Sequence, residues 1–243
     1  MANMKIAALL GAALSLGAVA AQAAPVMATP VISLYYQLDG GAVTLIADNS
    51  ANPALTTVSI TNMNIGVLFA INSLSGKGGA QIGVNGADYS ANLKEAYDVQ
   101  AISNSVTGHT LKVIVSETGI AGIYNPVDYR ETLQVNAADV GTTTLEQLLV
   151  SQTNQSPATS PTPGAVLVSH QFADGSGLTF LASQFSQPLS STFSVTEIVT
   201  FTATGNTQES FGNISMKTVP EPMTVGILGL ALAGLGAVRR KRG

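Results

Sequence analysis

The sequence predicts an all-β fold, an antiparallel and jelly-roll-like β-sandwich, and three observations predict it. Apolar and polar residues alternate at period two over several short runs, glycine and asparagine punctuate those runs, and helical periodicity is scant. The clearest run is 192–204. Phe193, Val195, Val199, Phe201 and Ala203 share one face there, while Thr192, Ser194, Thr196, Thr200, Thr202 and Thr204 share the other, as a half-buried strand requires. Many short strands of this kind, separated by turn residues, pack as two sheets over one core.

In chain order, residues 1–5 form a short positive region, 6–20 an apolar run, and Ala21-Gln22-Ala23 a small-x-small site. This is the anatomy of a secretory signal peptide over 1–23, cut after Ala23, and it leaves an exported domain over 24–218. The first strand carries Ile32, Leu34, Tyr36 and Leu38 and stops at Asp39-Gly40-Gly41, residues that favour a turn. Strands are expected next at 43–47, 55–61 and 65–71, and another at Leu111, Val113 and Val115 after Gly108. Residues 75–85 (SGKGGAQIGVN) read as a glycine-rich mobile loop. Its Gly76-Lys77-Gly78-Gly79 fails as a phosphate loop, because Ile71 stands where the first glycine belongs and Gly78 replaces the required Ser or Thr.

A turn or two of helix is expected at 91–99 and at 144–150, each too short to stand alone. Residues 151–164 contain three prolines and no charge, and read as a long solvated loop inside one sandwich. Gly205-Asn206 is expected to make a hairpin turn. A returning strand follows it, with Gly212, Ile214 and Met216 alternating with Asn213, Ser215 and Lys217.

The segment 219–243 has a different character. Val219-Pro220-Glu221-Pro222 precedes sixteen uncharged residues, 223–238, and then Arg239-Arg240-Lys241-Arg242. At ~1.5 Å rise per residue the uncharged run makes a helix of roughly 24 Å, a little short of the ~30 Å hydrocarbon core, so a single marginal transmembrane span is expected. The basic stop-transfer cluster keeps its end of that span cytoplasmic and leaves the domain outside. Pro220 and Pro222 lack amide donors and hold the approach to the membrane extended. Gly229, Ala233 and Ala237, four apart, give the span a seam of small residues.

Together, the Ala-x-Ala signal, the Val-Pro-Glu-Pro stretch, the Gly/Ala/Leu-rich span and the basic cluster resemble the PEP-CTERM family of exported bacterial proteins. Pro220, Glu221 and Pro222 match the tripeptide of that family, and Arg239, Arg240, Lys241 and Arg242 match its terminal basic cluster. The resemblance covers about 25 residues. It implies recognition by an exosortase, an integral-membrane, cysteine-dependent, transpeptidase-like enzyme of Gram-negative bacteria that make exopolysaccharide. It further implies an intermediate anchored in the inner membrane, followed by cleavage and passage to the cell surface or extracellular matrix. Residues 176–215 are also similar to the last hairpin of many such proteins.

Composition narrows the function classes. Over 24–219 five basic residues (Lys77, Lys94, Lys112, Arg130 and Lys217) stand against thirteen acidic ones, a net charge of −8, which disfavours nucleic acid as a partner. There is no cysteine, so the core stands without disulfides. His109 and His170 are 61 positions apart, with no zinc spacing and no G-x-S-x-G elbow, and read as a turn and a strand histidine. Glu95 with Asp98, and Asp128 with Glu131, have the residue types of a glycosidase pair but read as solvated charge. Asp39-Gly40-Gly41 and Asp174-Gly175-Ser176-Gly177 read as turns and not as calcium loops.

Glu197 contradicts its surroundings, since it lies on the apolar face of the 192–204 run. A bulge at 197–198, or an inward-pointing charge that blocks strand addition at an edge, would explain it, and a catalytic acid is the third reading. No catalytic set, metal site or cofactor is expected. The expected function is that of an exported, non-enzymatic surface or matrix protein handled by an exosortase. The alternatives are a carbohydrate-binding module of the exopolysaccharide matrix and a secreted hydrolase. The carbohydrate reading is weakened by the absence of tryptophan and by Tyr35 and Tyr36 pointing to opposite sides of their strand.

Overall fold

A computed structural model describes residues 30–78, 80–82, 89–121, 127–173, 178–187 and 192–219. The expected signal peptide with Ala21 and Ala23, the tripeptide Pro220, Glu221 and Pro222, the span 223–238, the cluster Arg239, Arg240, Lys241 and Arg242, and the Asp174 turn all lie outside them.

The described chain is all-β apart from one 3₁₀ turn, Asn104–Val106. Its strands are β1 (Val31–Leu38), β2 (Thr44–Asp48), β3 (Thr57–Ile65), β4 (Phe69–Lys77), β5 (Ala80–Ile82), β6 (Tyr89–Ala101) and β7 (Thr110–Ala121). They continue with β8 (Val127–Ala138), β9 (Thr142–Ser151), β10 (Ala165–Ala173), β11 (Leu178–Gln187), β12 (Thr192–Ala203) and β13 (Glu209–Val219). One sheet has the order β10-β9-β12-β7-β1-β2; the other has the order β11-β8-β13-β6-β4-β3, with β5 also paired to β6. Every pairing is antiparallel. Strands β6 to β13 interleave as β7-β12-β9-β10 over β6-β13-β8-β11, the order of a jelly roll, and β1 to β4 widen both sheets on one side.

The core between the sheets follows from period-two alternation. Leu93, Tyr97 and Val99 of β6 meet Val113 and Val115 of β7, and Ile214 and Met216 of β13 join Val195, Val199 and Phe201 of β12. Phe69 and Phe201 pack edge to face with centroids 6.0 Å apart. A second, smaller apolar cluster, Tyr35, Ile114, Leu149 and Ile198, lies on the opposite face of the first sheet. Tyr35 belongs to this cluster and Tyr36 packs against the main core, so the two tyrosines do point to opposite sides.

Several expectations require correction. Residues 91–99 and 144–150 are strand, not helix, because the inward places of β6 and β9 alternate strictly even where glutamate or threonine fills them. The run 65–71 is split: Ile65 ends β3, and β4 begins only at Phe69 after the turn 66–68. Residues 75–77 belong to β4 and 80–82 form β5, so these parts of the glycine-rich stretch are paired backbone.

The segment after Gly205 is not a hairpin. β12 lies in one sheet and β13 in the other, so 204–208 is a crossover, shaped by Gln208, whose side chain accepts from the amides of Thr204 and Gly205 and donates to the Val140 carbonyl. The similarity of 176–215 to a terminal hairpin fails for the same reason. β12 is also more than half-buried: residues 193–199 are covered on both faces, since the outer face carries the small apolar cluster with Ile198 and the 152–164 loop, whose Gln155 carbonyl accepts from Ser194 at 2.6 Å. The 152–164 loop joins the paired strands β9 and β10 and is fastened further where Gly119 donates to Asn154 at 2.7 Å.

Candidate functional site

The strongest concentration of shifted titratable groups lies inside the sandwich. Alternation turns Glu95 and Tyr97 of β6 inward, along with Glu146 of β9, Glu117 of β7 and Glu197 of β12. The four glutamates each have 0% exposure, so no face of any of them meets solvent. Isolated carboxylates are rarely found there, because desolvation penalises the charged form by several kcal/mol.

Glu146, Tyr97, Ser210 and Thr144 form a connected chain. The Tyr97 hydroxyl donates to Glu146 Oε1 at 2.6 Å, Ser210 hydrogen-bonds Tyr97, and the Ser210 and Thr144 hydroxyls lie 2.8 Å apart. Glu146 also accepts from the main chain of Gln134. A glycine makes the geometry possible: a Cβ on Gly212 would collide with the main-chain oxygen of Gln134 and stand 2.5 Å from the Tyr97 hydroxyl. Gly78 does the same for Glu117, whose Oε2 would be 2.6 Å from a Cβ there.

Burial pushes Glu146 up to about 7, against the opposing pull of the Tyr97 and Gln134 hydrogen bonds. Burial also raises Glu95 well above the ordinary carboxylate range, and the charge of Glu146 adds to the shift. Tyr97 is raised for the same two reasons, burial first, and further because its hydroxyl is the donor to Glu146. Among the described residues neither oxygen of Glu95 has a hydrogen-bond partner. A proton held near neutral pH is a common resource of acid–base catalysts. Here it is sealed in, with Glu95 and Glu146 fully buried and Tyr97 3% exposed, so the arrangement stores protons without a face to offer a substrate.

The bulge and the edge-charge expectations for Glu197 are overturned. It stands in register with Val115 and Leu148 on a central strand, so it is no edge charge, and the irregularity in β12 lies at Phe193/Val195 rather than at 197–198. Glu95 is a core residue and not solvated charge. It also cannot pair with Asp98, because positions three apart in a strand fall on opposite faces. The same spacing separates Asp128 from Glu131 in β8. Glu146 and Tyr97 are hidden in the sequence because 144–150 and 91–99 read as helix; the period-two placement of Glu146 between Thr144 and Leu148, and of Tyr97 between Glu95 and Val99, is the signal available.

The remaining candidates sit at the surface. His109 Nδ1 lies 2.7 Å from Asp39 Oδ2, and Asp39 Oδ1 accepts from the Thr110 amide at 2.8 Å, which ties the β1–β2 turn to β7. The His109 hydrogen bond holds the Asp39 carboxyl below its usual range. Neither His109 nor His170 hydrogen-bonds a serine among the described residues. His170 instead stacks on Phe180 with centroids 4.4 Å apart and meets Phe172 edge-on at 4.7 Å. At one end of the second sheet Asp98 accepts from Asn72 at 3.0 Å, and Glu209 is raised first by sharing a hydrogen bond with Asp98. Among the described residues no group of three or more His, Asp or Glu could hold a metal ion, and no helix is long and apolar enough to cross a membrane.

No known protein family matches the chain, and no characterised protein sequence does. Solved structures with a similar shape include the enzymatically active domain of tailspike protein 4 from bacteriophage CBA120, at 7% identity and a TM-score of 0.32 over 68% of this chain and 19% of that one. The K1 cleaved adhesin domain of Lys-gingipain from Porphyromonas gingivalis gives 9% identity and a TM-score of 0.32 over 68% and 91%. The family 11 carbohydrate-binding module from Clostridium thermocellum gives 10% and 0.28 over 77% and 95%. The chain thus spans about a fifth of the tailspike domain and nearly all of the other two. At these scores the likenesses say nothing about ligand or activity.

Proposed function

We propose that the chain is an exported, non-enzymatic β-sandwich of the cell surface or extracellular matrix, recognised and cleaved by an exosortase at Pro220-Glu221-Pro222. The observation that carries this reading is the order of residues after β13: two prolines around a glutamate, sixteen uncharged residues, then four basic ones. The sandwich supports it in one respect. The chemistry it contains is a proton store with no solvent face, which suits a robust passive domain better than a hydrolase. A carbohydrate-binding role is secondary, since among the described residues Phe211, at 39%, is the one aromatic among the exposed large hydrophobics.

The test is the triple variant Pro220→Ala, Glu221→Ala, Pro222→Ala. It lets the helix extend outward and removes the interfacial carboxylate while leaving the apolar span intact. A tag belongs between Pro161 and Thr162, where both residues are exposed and the fastened positions Asn154 and Gln155 are left alone. The variant is expected to accumulate in the inner membrane at its anchored mass. Release as efficient as that of the parent would reduce the tripeptide to a linker and the protein to a membrane-tethered domain.

A further inference from the structure

The two sheets end side by side in β10 and β11, and that side of the sandwich carries almost no charge. From Gln147 to Thr196 the sequence has one charged side chain, Asp174, which lies outside the described residues, although 24–219 as a whole has a net charge of −8. Asp128, Arg130 and Glu131 stand one strand in, on β8, and Glu146 of β9 is fully buried. Two copies of an acidic domain repel where their charged surfaces meet, and the uncharged side is where they can touch. An edge strand also offers unpaired N–H and C=O groups to another strand, which proteins block with bulges, short strands and charge. The edges here differ in that respect. β2 has five residues, ends at Asp48 and is bulged against β1, and β3 is interrupted by Asn62 at φ 56°. β11 loses register between Ala182 and Phe185. β10 is irregular only between Val166 and Val168, and 168–173 then run in unbroken register with 148–143 of β9. Those six residues include no Asp, Glu, Lys, Arg or Pro, and Ser169, Gln171 and Ala173 are exposed. Among the described residues no backbone hydrogen bond reaches the free side of β10.

We propose that the free edge of β10 pairs with β10 of a second copy, giving an antiparallel two-fold dimer in which the first sheet runs on through both molecules. Period two restricts the register. Inward residues must stand opposite inward residues, so the two-fold axis passes through a residue and not between two. With the axis at His170, Val168 stands opposite Phe172, and Ser169 opposite Gln171, of the other copy. An axis at Gln171 would instead bring Asp174 of each copy against Val168 of the other. Val168 and Phe172 already pack against the core, so apolar contact continues across the junction. His170 stacks on Phe180 of β11 with centroids 4.4 Å apart, which fastens the edge strand to the other sheet. Nine residues at ~3.3 Å make an edge of roughly 30 Å, and two sheets about 10 Å apart make the side, with its side chains, roughly 20 Å wide. About 600 Å² of each copy is then covered, at the lower end for a specific interface, so the dimer is reversible and concentration-dependent. It depends on neither terminal segment.

The experiment uses the full chain in detergent micelles, followed by sedimentation velocity over a concentration series and by amide hydrogen exchange read by peptide mass spectrometry. The chain is expected to pass from monomer to dimer as its concentration rises. Exchange over 168–172 should slow as it does, while 57–65 of β3, at the far edge of the other sheet, stays unchanged. Ser169→Lys together with Gln171→Lys sets like charges opposite each other twice across the junction and should weaken the dimer about tenfold. Both positions are exposed, so the thermal midpoint of the dilute monomer should not move. Ser169→Lys together with Gln171→Glu sets Lys opposite Glu of the other copy and should restore the dimer. A dimer that survives both lysines, or that forms without slower exchange over 168–172, overturns the β10 junction and assigns the association to another surface. A chain that stays monomeric up to about 1 mM, or that grows beyond the dimer, overturns the two-fold pairing. If the double-lysine variant does not fold, exchange in the parent and the Lys/Glu variant still decide between these results.

Discussion

Glu146 and Glu95 decide how this sandwich responds to pH. For Glu146 the folded value of about 7 lies above the ordinary 4.5, so between those values the folded state binds more protons than the unfolded one. Stability is then greatest below about pH 4.5 and declines as the pH rises toward 7, by about 3 kcal/mol for the 2.5-unit difference. Burial raises Glu95 in the same direction, so it adds to the loss of stability on the alkaline side. Thermal melts from pH 4.5 to 8 should show the midpoint falling, and Glu146→Gln should flatten the part below 7. A flat parent profile would mean that these carboxylates are solvated after all. Gly212→Ala is expected to cost about 1–3 kcal/mol in urea denaturation, because the added Cβ collides first with the main-chain oxygen of Gln134 and then with the Tyr97 hydroxyl. A neutral result would show that the β8–β13 backbone and Tyr97 both give way.

How much could be read from the sequence differs from strand to strand. β1 and β13 are plain in it because their inward residues are mostly apolar and alternate without interruption. β6 and β9 are hidden because glutamate, tyrosine and threonine take inward places, and residue type then gives the wrong period. Local chemistry identified a turn near Gly205 correctly. It could not say that β13 pairs with β6 and β8, which lie about a hundred and about eighty residues away, and so the crossover was taken for a hairpin. Glu197 shows the limit most clearly, since only the pairing of β12 with both β7 and β9 reveals that its strand is central. The crossover hangs on one side chain. Gln208→Ala removes three hydrogen bonds of 2.6–2.8 Å, and the urea midpoint should drop by the equivalent of about 1–2 kcal/mol. An unchanged midpoint would leave the crossover held by backbone alone.

For the whole molecule, the fold and the destination rest on different residues. The sandwich rests on the apolar residues between its two sheets, and the sequence contains no cysteine. The proposed destination rests on the residues before 24 and after 219, whose patterns are read from charge and hydropathy alone. The central claim is that both segments are removed on the way to the surface, and intact-mass spectrometry of protein recovered from the cell exterior tests it most directly. The expected species begins at Ala24 and ends near Glu221. A released form that still carries Arg239, Arg240, Lys241 and Arg242 would contradict it.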